Sequence, residues 1–406
     1  MTSWLRRPFQ APHPAVRLHR DQNVQALRAW AALLVVVDHG LQYFDSRFGF
    51  LGAGRVGVVL FFMISGYVIG LVSQEPWSPM AQTTYWKNRF IRLAPLYLVA
   101  VTFAALILRW LGWNFGLVAV VGNFLCLQNH DGYFGVSIPP LVTNRPLWTL
   151  NYELVYYALF VLVWKYRLSL GVVLGLCGFV ALSTLFTPPH LGTMGAYASG
   201  FVFWLAGLLL AWLFPASSSV APSTRFPFAG LLLILLATHY AVAGKVLLAA
   251  TGLSVSGLPF FSATDFVFLP ACFLLVGSAT GRLNGITPLA RIACCLPVVL
   301  SLAGAAVTGH NLLDERWGGA ACCTLLGLPL LWTKLGSATL PRLSWLGGIS
   351  YALYLFHEPL MIIATQLLPS TPRFATLAAF ALSIPLAWAL ESKLQPLIRA
   401  SLKPTG

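Results

Sequence analysis

Leu27-Arg28-Ala29-Trp30-Ala31-Ala32-Leu33-Leu34-Val35-Val36-Val37-Asp38-His39 is the stretch whose reading decides the fold. It is apolar between an arginine and an Asp-His pair, it extends to about residue 47, and runs like it recur to the end of the chain. Hydrocarbon about 30 Å thick requires about 20 apolar residues per helical span. Runs near that length fall at 29–47, 54–73, 94–112, 147–164, 168–187, 195–213, 228–250, 265–281, 287–308, 318–333, 343–365 and 374–391. The run at 115–128 is shorter and is followed by polar residues, so a re-entrant or interfacial segment is expected there. Of 406 residues, 58% are hydrophobic and 9% charged. An average soluble domain is about 25% charged, and a soluble fold could not hide this much apolar surface. The expected architecture is an all-α, polytopic transmembrane bundle of about ten to twelve spans.

Charge sets the expected orientation. The formal net charge of +14 arises from 25 Lys and Arg against 11 Asp and Glu. The basic residues gather in short segments between apolar runs, which is the positive-inside pattern and not a nucleic-acid footprint. Arg17, Arg20 and Arg28 precede the first span, Lys87, Arg89 and Arg92 follow the second, and Lys165 and Arg167 follow the fourth. Arg225, Arg282, Arg291, Lys334 and Arg342 mark alternate later loops, all on the side assigned to the cytoplasm, with the N-terminus. The loop 129–146 and Asp314-Glu315-Arg316 then face the other side, with Arg145 and Arg316 as exceptions. Arg6-Arg7-Pro8-Phe9 loosely resembles a twin-arginine export signal, but the run after it lacks a small-residue cleavage site and reads as a retained span. The organisation expected is a basic N-terminal segment 1–28, one transmembrane domain 29–391 and a cytoplasmic tail 392–406, with a linker at 214–227. Seven cysteines, an odd number without a CxxC, read as small buried residues and give neither a disulfide frame nor a metal site.

Polar residues stranded in the apolar runs are the candidates for chemistry. On a helix, eleven residues bring Arg28 and His39 to nearly one face about 16 Å apart, which puts Arg28 at the interface and His39 near mid-membrane. An ionisable residue at that depth is a functional hypothesis by default. A neutral histidine can accept a hydroxyl proton, and it can equally serve as a hydrogen bond between helices. Asp38 lies about 100° round the helix from His39, and its partner is not legible. In Gly54–Tyr67, Gly57, Ser65 and Gly66 permit close helix approach, while Ser65 as a nucleophile would need a base in reach. Arg89 and Arg92, three apart beside Lys87, present two guanidinium forks suited to phosphates; plain anchoring at the membrane face also accounts for them. Glu153 lies inside an apolar run on the side opposite the arginines, so it is expected to be neutral, paired or facing a wet cavity. Trp148, Tyr152, Tyr156 and Tyr157 could stack on a sugar ring or form an interfacial girdle. His357 and Glu358 put a second histidine inside a late span.

Five segments in register extend the reading: Arg28 to His39, Gly57 to Tyr67, the Arg89–Arg92 pair, Pro146-Leu147-Trp148-Thr149-Leu150-Asn151-Tyr152-Glu153, and Ile349 to Pro359. Together they resemble the acyltransferase-3 family of membrane O-acyltransferases, over essentially the whole chain. The resemblance implies transfer of an acyl group, usually acetyl from acetyl-CoA, to a hydroxyl of a carbohydrate at the bacterial envelope, such as O-antigen lipopolysaccharide, exopolysaccharide or peptidoglycan. It implies an inner-membrane location, a lipid bilayer and a glycan or glycolipid acceptor as partners, and no metal. Carried over, it makes His39 the catalytic histidine, Arg28 its basic partner, Glu153 the acidic residue, and Arg89 and Arg92, with Lys87 and Arg28, the donor-binding group. Asp38, Ser65, Trp148, Asn151, Tyr152 and His357 are the remaining candidates for substrate contact. The chain departs from the family in having Glu153-Leu154 where two acidic residues are common and in its larger span count, and the stand-alone form, without an appended hydrolase-like domain, is expected.

Two other classes compete. A sugar transporter or flippase would also bury His, Asp and Glu at mid-membrane, but tends to show two related halves, and no repeat is visible here. A transmembrane N-acetyltransferase would use the same donor on an amine.

Overall fold

The computed structural model describes residues 14–132, 136–186, 192–214, 226–283, 286–307 and 315–401. Arg6 to Phe9, the Ser217–Ser219 linker, Arg225 and Asp314 lie outside them, as do the side chains of Arg17 and Arg20. Among the described residues every regular element is a helix, and each expected span falls on a helix or on a pair of helices. Among the described residues seven helices are long and apolar enough to cross a membrane alone, and two bent pairs would bring the number to nine, fewer than the ten to twelve expected because several apolar runs form helices too short to cross. The run at 115–128 forms only α4, Leu117–Phe124, eight residues and about 12 Å long, too short to cross.

The helix at the centre is α1, Pro14–Phe44. Its small side chains are buried on two faces. Leu27, Ala31 and Val35 enter one core with α2 (Gly54–Val72), α5 (Trp148–Tyr166), α7 (Gly192–Leu213), α8 (Phe228–Tyr240) and α10 (Leu269–Ala279). Ala29, Ala32 and Val36 enter a second core with α3 (Pro79–Trp110), α14 (Ser350–Leu367) and α15 (Pro372–Ala389). Arg28 and His39 therefore stand between the two halves of the packing. Lipid tails are as apolar as leucine, so helices here must gain from close van der Waals contact. Glycine supplies it: a Cβ on Gly66 would overlap the Trp204 carbonyl, one on Gly207 the Met63 carbonyl, and one on Gly57 the Ala31 carbonyl.

The basic segment expected as a loop is instead the start of a long helix. Ser78 caps α3 by accepting from the Ala81 N–H at 3.1 Å, and Pro79 occupies the first turn, where its missing N–H costs nothing. At 32 residues α3 is about 48 Å long, more than the hydrocarbon needs, so its basic N-terminal turns extend past the apolar layer. The span read at 228–250 breaks at Val242, which takes a left-handed conformation (φ 46°) and turns α9, Ala243–Ala250, by 53° from α8. A 69° bend likewise separates α14 from the 340–348 segment before it.

Candidate functional site

A cavity of about 1230 Å³ opens between α1, α2, α3, α5 and α14. Three helices each give it a stripe of their surface. On α2 the lining residues include Val58, Phe61, Ser65, Val68 and Val72, and on α5 Thr149, Glu153 and Tyr157, series spaced three or four apart along one helix face, with Phe62, Ile64, Leu71, Leu150 and Trp164 at their margins. On α3 Tyr85, Asn88, Arg89 and Arg92 do the same, with Lys87 beside them. Arg28 of α1, Tyr351 and Tyr354 of α14 and Arg399 of α16 (Gln395–Ser401) complete the wall. The volume exceeds the ~300–1,000 Å³ usual for small-molecule sites, which is room for an extended ligand.

The four expected cations Arg28, Lys87, Arg89 and Arg92 thus share one cavity. They are not equivalent. Arg92 donates to Glu391 Oε2 at 2.8 Å and lies over the Tyr351 ring. Arg89 lies over the Tyr157 ring, its Nε is buried without a partner, and it makes no ion pair among the described residues. Arg28 donates to Gln25 Oε1 at 3.2 Å, one turn earlier.

Glu153 was expected on the side opposite the arginines, and the structure puts it in their cavity instead. Its Oε1 accepts from Ser65 Oγ at 2.9 Å and from the Tyr157 hydroxyl in a shorter contact. The reason is depth: the cavity runs far enough along α5 to reach the turn that carries Glu153. Among the described residues Ser65 has this carboxylate and the Tyr157 hydroxyl, and no histidine, as side-chain hydrogen-bond partners. That fits a side chain that positions Glu153 better than a nucleophile, which needs a base in reach.

His39 does not line the cavity. Its Nδ1 is 3.0 Å from His357 Nε2, and the two rings are stacked with centroids 5.1 Å apart. The His357 ring in turn sits 6.0 Å from that of Tyr354, which is in the cavity wall and packs edge-on against Phe61. Cavity and histidine pair are therefore joined through Tyr354. Beyond the pair, Glu358 accepts from the Arg145 backbone N–H and from its Nε, both at 2.6 Å, and from the Tyr43 hydroxyl at 3.3 Å. Arg145, an exception to the charge rule, is thus held by a fully buried carboxylate from α14.

Other candidates lie outside this cavity. The Asp38 carboxylate packs so closely on the backbone of Gly52 and Gly54 that a Cβ at either would collide with it, which places the acid at the N-terminus of α2, where a helix dipole favours an anion. Asn151 and Tyr152, about 200° and 100° round α5 from Glu153, point away from the cavity. Asn151 donates to the Cys126 carbonyl at 2.7 Å and accepts from the Tyr197 hydroxyl, and Tyr152 donates to Asn129 at 3.4 Å. Trp148 is buried against the rings of His130 and Phe260. Arg399 and Glu391 went unnoticed in the sequence, because nothing local marks a residue some 300 positions away as a neighbour of Arg92.

Residues 21–287 match the model of an acyltransferase domain family, Acyl_transf_3. The chain is 29% identical over 168 residues to the acyltransferase MdmB of Streptomyces mycarofaciens, an alignment spanning 37% of this chain and 40% of that protein. It is 28% identical over 155 residues to a protein of Komagataeibacter xylinus carrying the name membrane-bound transacylase BcsY, spanning 35% and 36% of the two chains. The match thus covers about two fifths of the length of these relatives. No solved structure matches the chain.

Proposed function

Because the chain belongs to the acyltransferase domain family Acyl_transf_3, we propose that it is a membrane O-acyltransferase that moves an acetyl group from acetyl-CoA to a carbohydrate hydroxyl. The observation that carries this reading is the convergence of Arg28, Lys87, Arg89 and Arg92, drawn from two helices, on one large cavity. CoA has a phosphate-rich head and a long pantetheine arm. Guanidinium forks and an ammonium hold phosphates by charge-assisted hydrogen bonds, and a cavity of about 1230 Å³ lined by exposed Lys87 and Arg399 as well as by Thr149 has room for the arm. The cavity end of the arm then approaches Tyr354, which leads to His357 and His39.

His39, joined to that end of the cavity through His357 and Tyr354, acts as the general base. The acceptor O–H bond breaks with its proton passing to His39, a C–O bond forms to the acyl carbon, and the C–S bond breaks. CoA leaves as a thiolate and takes the proton back from His39, so the products are the ester and free CoA-SH. Glu153, fixed by Ser65 and Tyr157 beside the donor arm, orients the reacting end of the ligand. The orientation assigned is donor site towards the cytoplasm and His39 towards the acceptor side, following the charge rule.

The test is CoA release by purified protein given acetyl-CoA and candidate glycans. Wild type turns over and His39→Ala falls to background. Full activity of that variant would sink the reading of His39, and the absence of CoA release with any acceptor would favour transport. Chemical quenching with labelled acetyl-CoA that leaves label on His39 would make the histidine an acyl carrier in place of a base.

A further inference from the structure

The histidine pair has a direction, and it follows from which atoms can only accept. His357 is fully buried, and its Nδ1 faces the Tyr354 carbonyl at 2.8 Å and the Leu353 carbonyl at 3.2 Å. A carbonyl oxygen has no proton to give, so the proton of this contact belongs to His357 Nδ1. These carbonyls lie three and four residues back in α14, so the ring is oriented by its own helix and does not depend on α1. A buried imidazolium would need an anion, and the adjacent Glu358 is taken up by Arg145 and Tyr43. His357 is accordingly neutral, with a lone pair on Nε2.

His39 Nδ1 lies 3.0 Å from that lone pair and must be the donor. Its own lone pair is then on Nε2. An unrestrained imidazole prefers the opposite tautomer, with the proton on Nε2, in which that atom could not accept a hydroxyl proton. The partner of a reactive histidine nitrogen is what fixes its tautomer.

We infer that His357 is a positioning residue for the reaction: its backbone-anchored ring holds His39 as the Nδ1–H tautomer and so makes Nε2 the atom that receives the acceptor proton. The inference rests on His39 being the catalytic base. It assigns a role to a residue outside the family-matched segment 21–287.

The test uses the full chain, labelled with [15N]histidine, in lipid nanodiscs. The His39 signals are identified by their disappearance in His39→Ala. Wild type is expected to show His39 protonated at Nδ1 and unprotonated at Nε2. His357→Leu removes the acceptor and is expected to move the proton to Nε2 and to lower kcat at least about tenfold, the cost of losing a group that orients a catalytic imidazole. The KM for acetyl-CoA stays unchanged, because His357 does not line the donor cavity. His357→Gln, whose Oε1 can stand where Nε2 stands, is expected to restore the tautomer and much of kcat. An Nε2–H tautomer in wild type would overturn the inference whether or not any variant folds. So would equal losses in His357→Leu and His357→Gln with the tautomer unchanged in both. Full activity of His39→Ala would instead remove the catalytic reading, leaving the tautomer as a structural fact.

Discussion

Arg89 and Arg92 sit one turn apart on α3 and look interchangeable in the sequence, yet their surroundings divide the work. The Glu391 carboxylate, 4% exposed, already occupies Arg92, whereas Arg89 faces the cavity with a buried Nε that has no partner. A hydrogen bond to a charged group is worth about 1.5–3 kcal/mol, roughly ten- to a hundredfold in affinity. Arg89→Ala is therefore expected to raise the KM for acetyl-CoA by about that factor. Arg92→Ala is expected to raise it less and to lower thermal stability more, because it strands a buried carboxylate. Initial rates against acetyl-CoA with melting curves on the same preparations separate the two; equal rises in KM would place both arginines on the donor. The Arg-x-x-Arg spacing and the eleven-residue step from Arg28 to His39 were legible because they need only helical periodicity. The pairings that decide roles were not: Glu391 with Arg92 and His357 with His39 join residues about 300 positions apart, and no local pattern encodes them.

Two helices that build the site carry an internal proline, and each has its lost hydrogen bond repaired by a buried amide from elsewhere. A proline at position i leaves the carbonyl at i−4 without its usual donor. In α3, Pro95 frees the Ile91 carbonyl, which accepts from Gln395 Nε2 at 2.6 Å; in α14, Pro359 frees the Leu355 carbonyl, which accepts from Asn144 Nδ2 at 2.9 Å. Gln395 and Asn144 are 2% and 0% exposed, as a repair inside the packing demands. The first repair anchors the segment bearing Glu391 and Arg399 to the arginine helix, and the second locks Arg145 beside Glu358. Gln395→Leu should lower stability by about 1–3 kcal/mol, the cost of an unsatisfied buried group. In a Pro95→Ala background, where residue 95 regains its N–H, most of that cost should vanish, and a double-mutant cycle on thermal unfolding measures the coupling. Strict additivity would show that Gln395 has no part in repairing the proline.

At the scale of the molecule, the apolar runs located all seven helices that are long and apolar enough to cross a membrane among the described residues, because bilayer thickness imposes a length that composition reveals, but they also counted shorter helices and so gave ten to twelve spans where the structure has seven to nine candidates. They missed the breaks: a valine at positive φ inside an apolar run carries no sequence signal, so the bend at Val242 is visible only in three dimensions. The charge pattern put Glu153 across the membrane from the arginines, since loop charge reports which end of a span a residue is nearer and not how deep a cavity reaches. In the structure the middle and the C-terminal part of α1 have different surroundings. Near Arg28 the cavity is ringed by exposed cations from α3 and α16; about 16 Å along, His39 lies next to the Arg145–Glu358 pair, outside the cavity. Under the proposed function the donor enters on the Arg28 side and the acceptor is met on the His39 side, which requires the reaction to be sided. Acetyl-CoA is too charged to cross a bilayer, so vesicles of defined orientation test this directly. Inside-out vesicles, with the basic face outward, should release CoA when acetyl-CoA is added outside, and right-side-out vesicles should do so only after permeabilisation. A Lys87→Cys variant, its label at position 87 read against wild type because Cys322 is also exposed, should react with a membrane-impermeant maleimide only in the active orientation and be slowed by acetyl-CoA. Activity in sealed right-side-out vesicles would invert the orientation assigned to the molecule and place the donor cavity on the outer face.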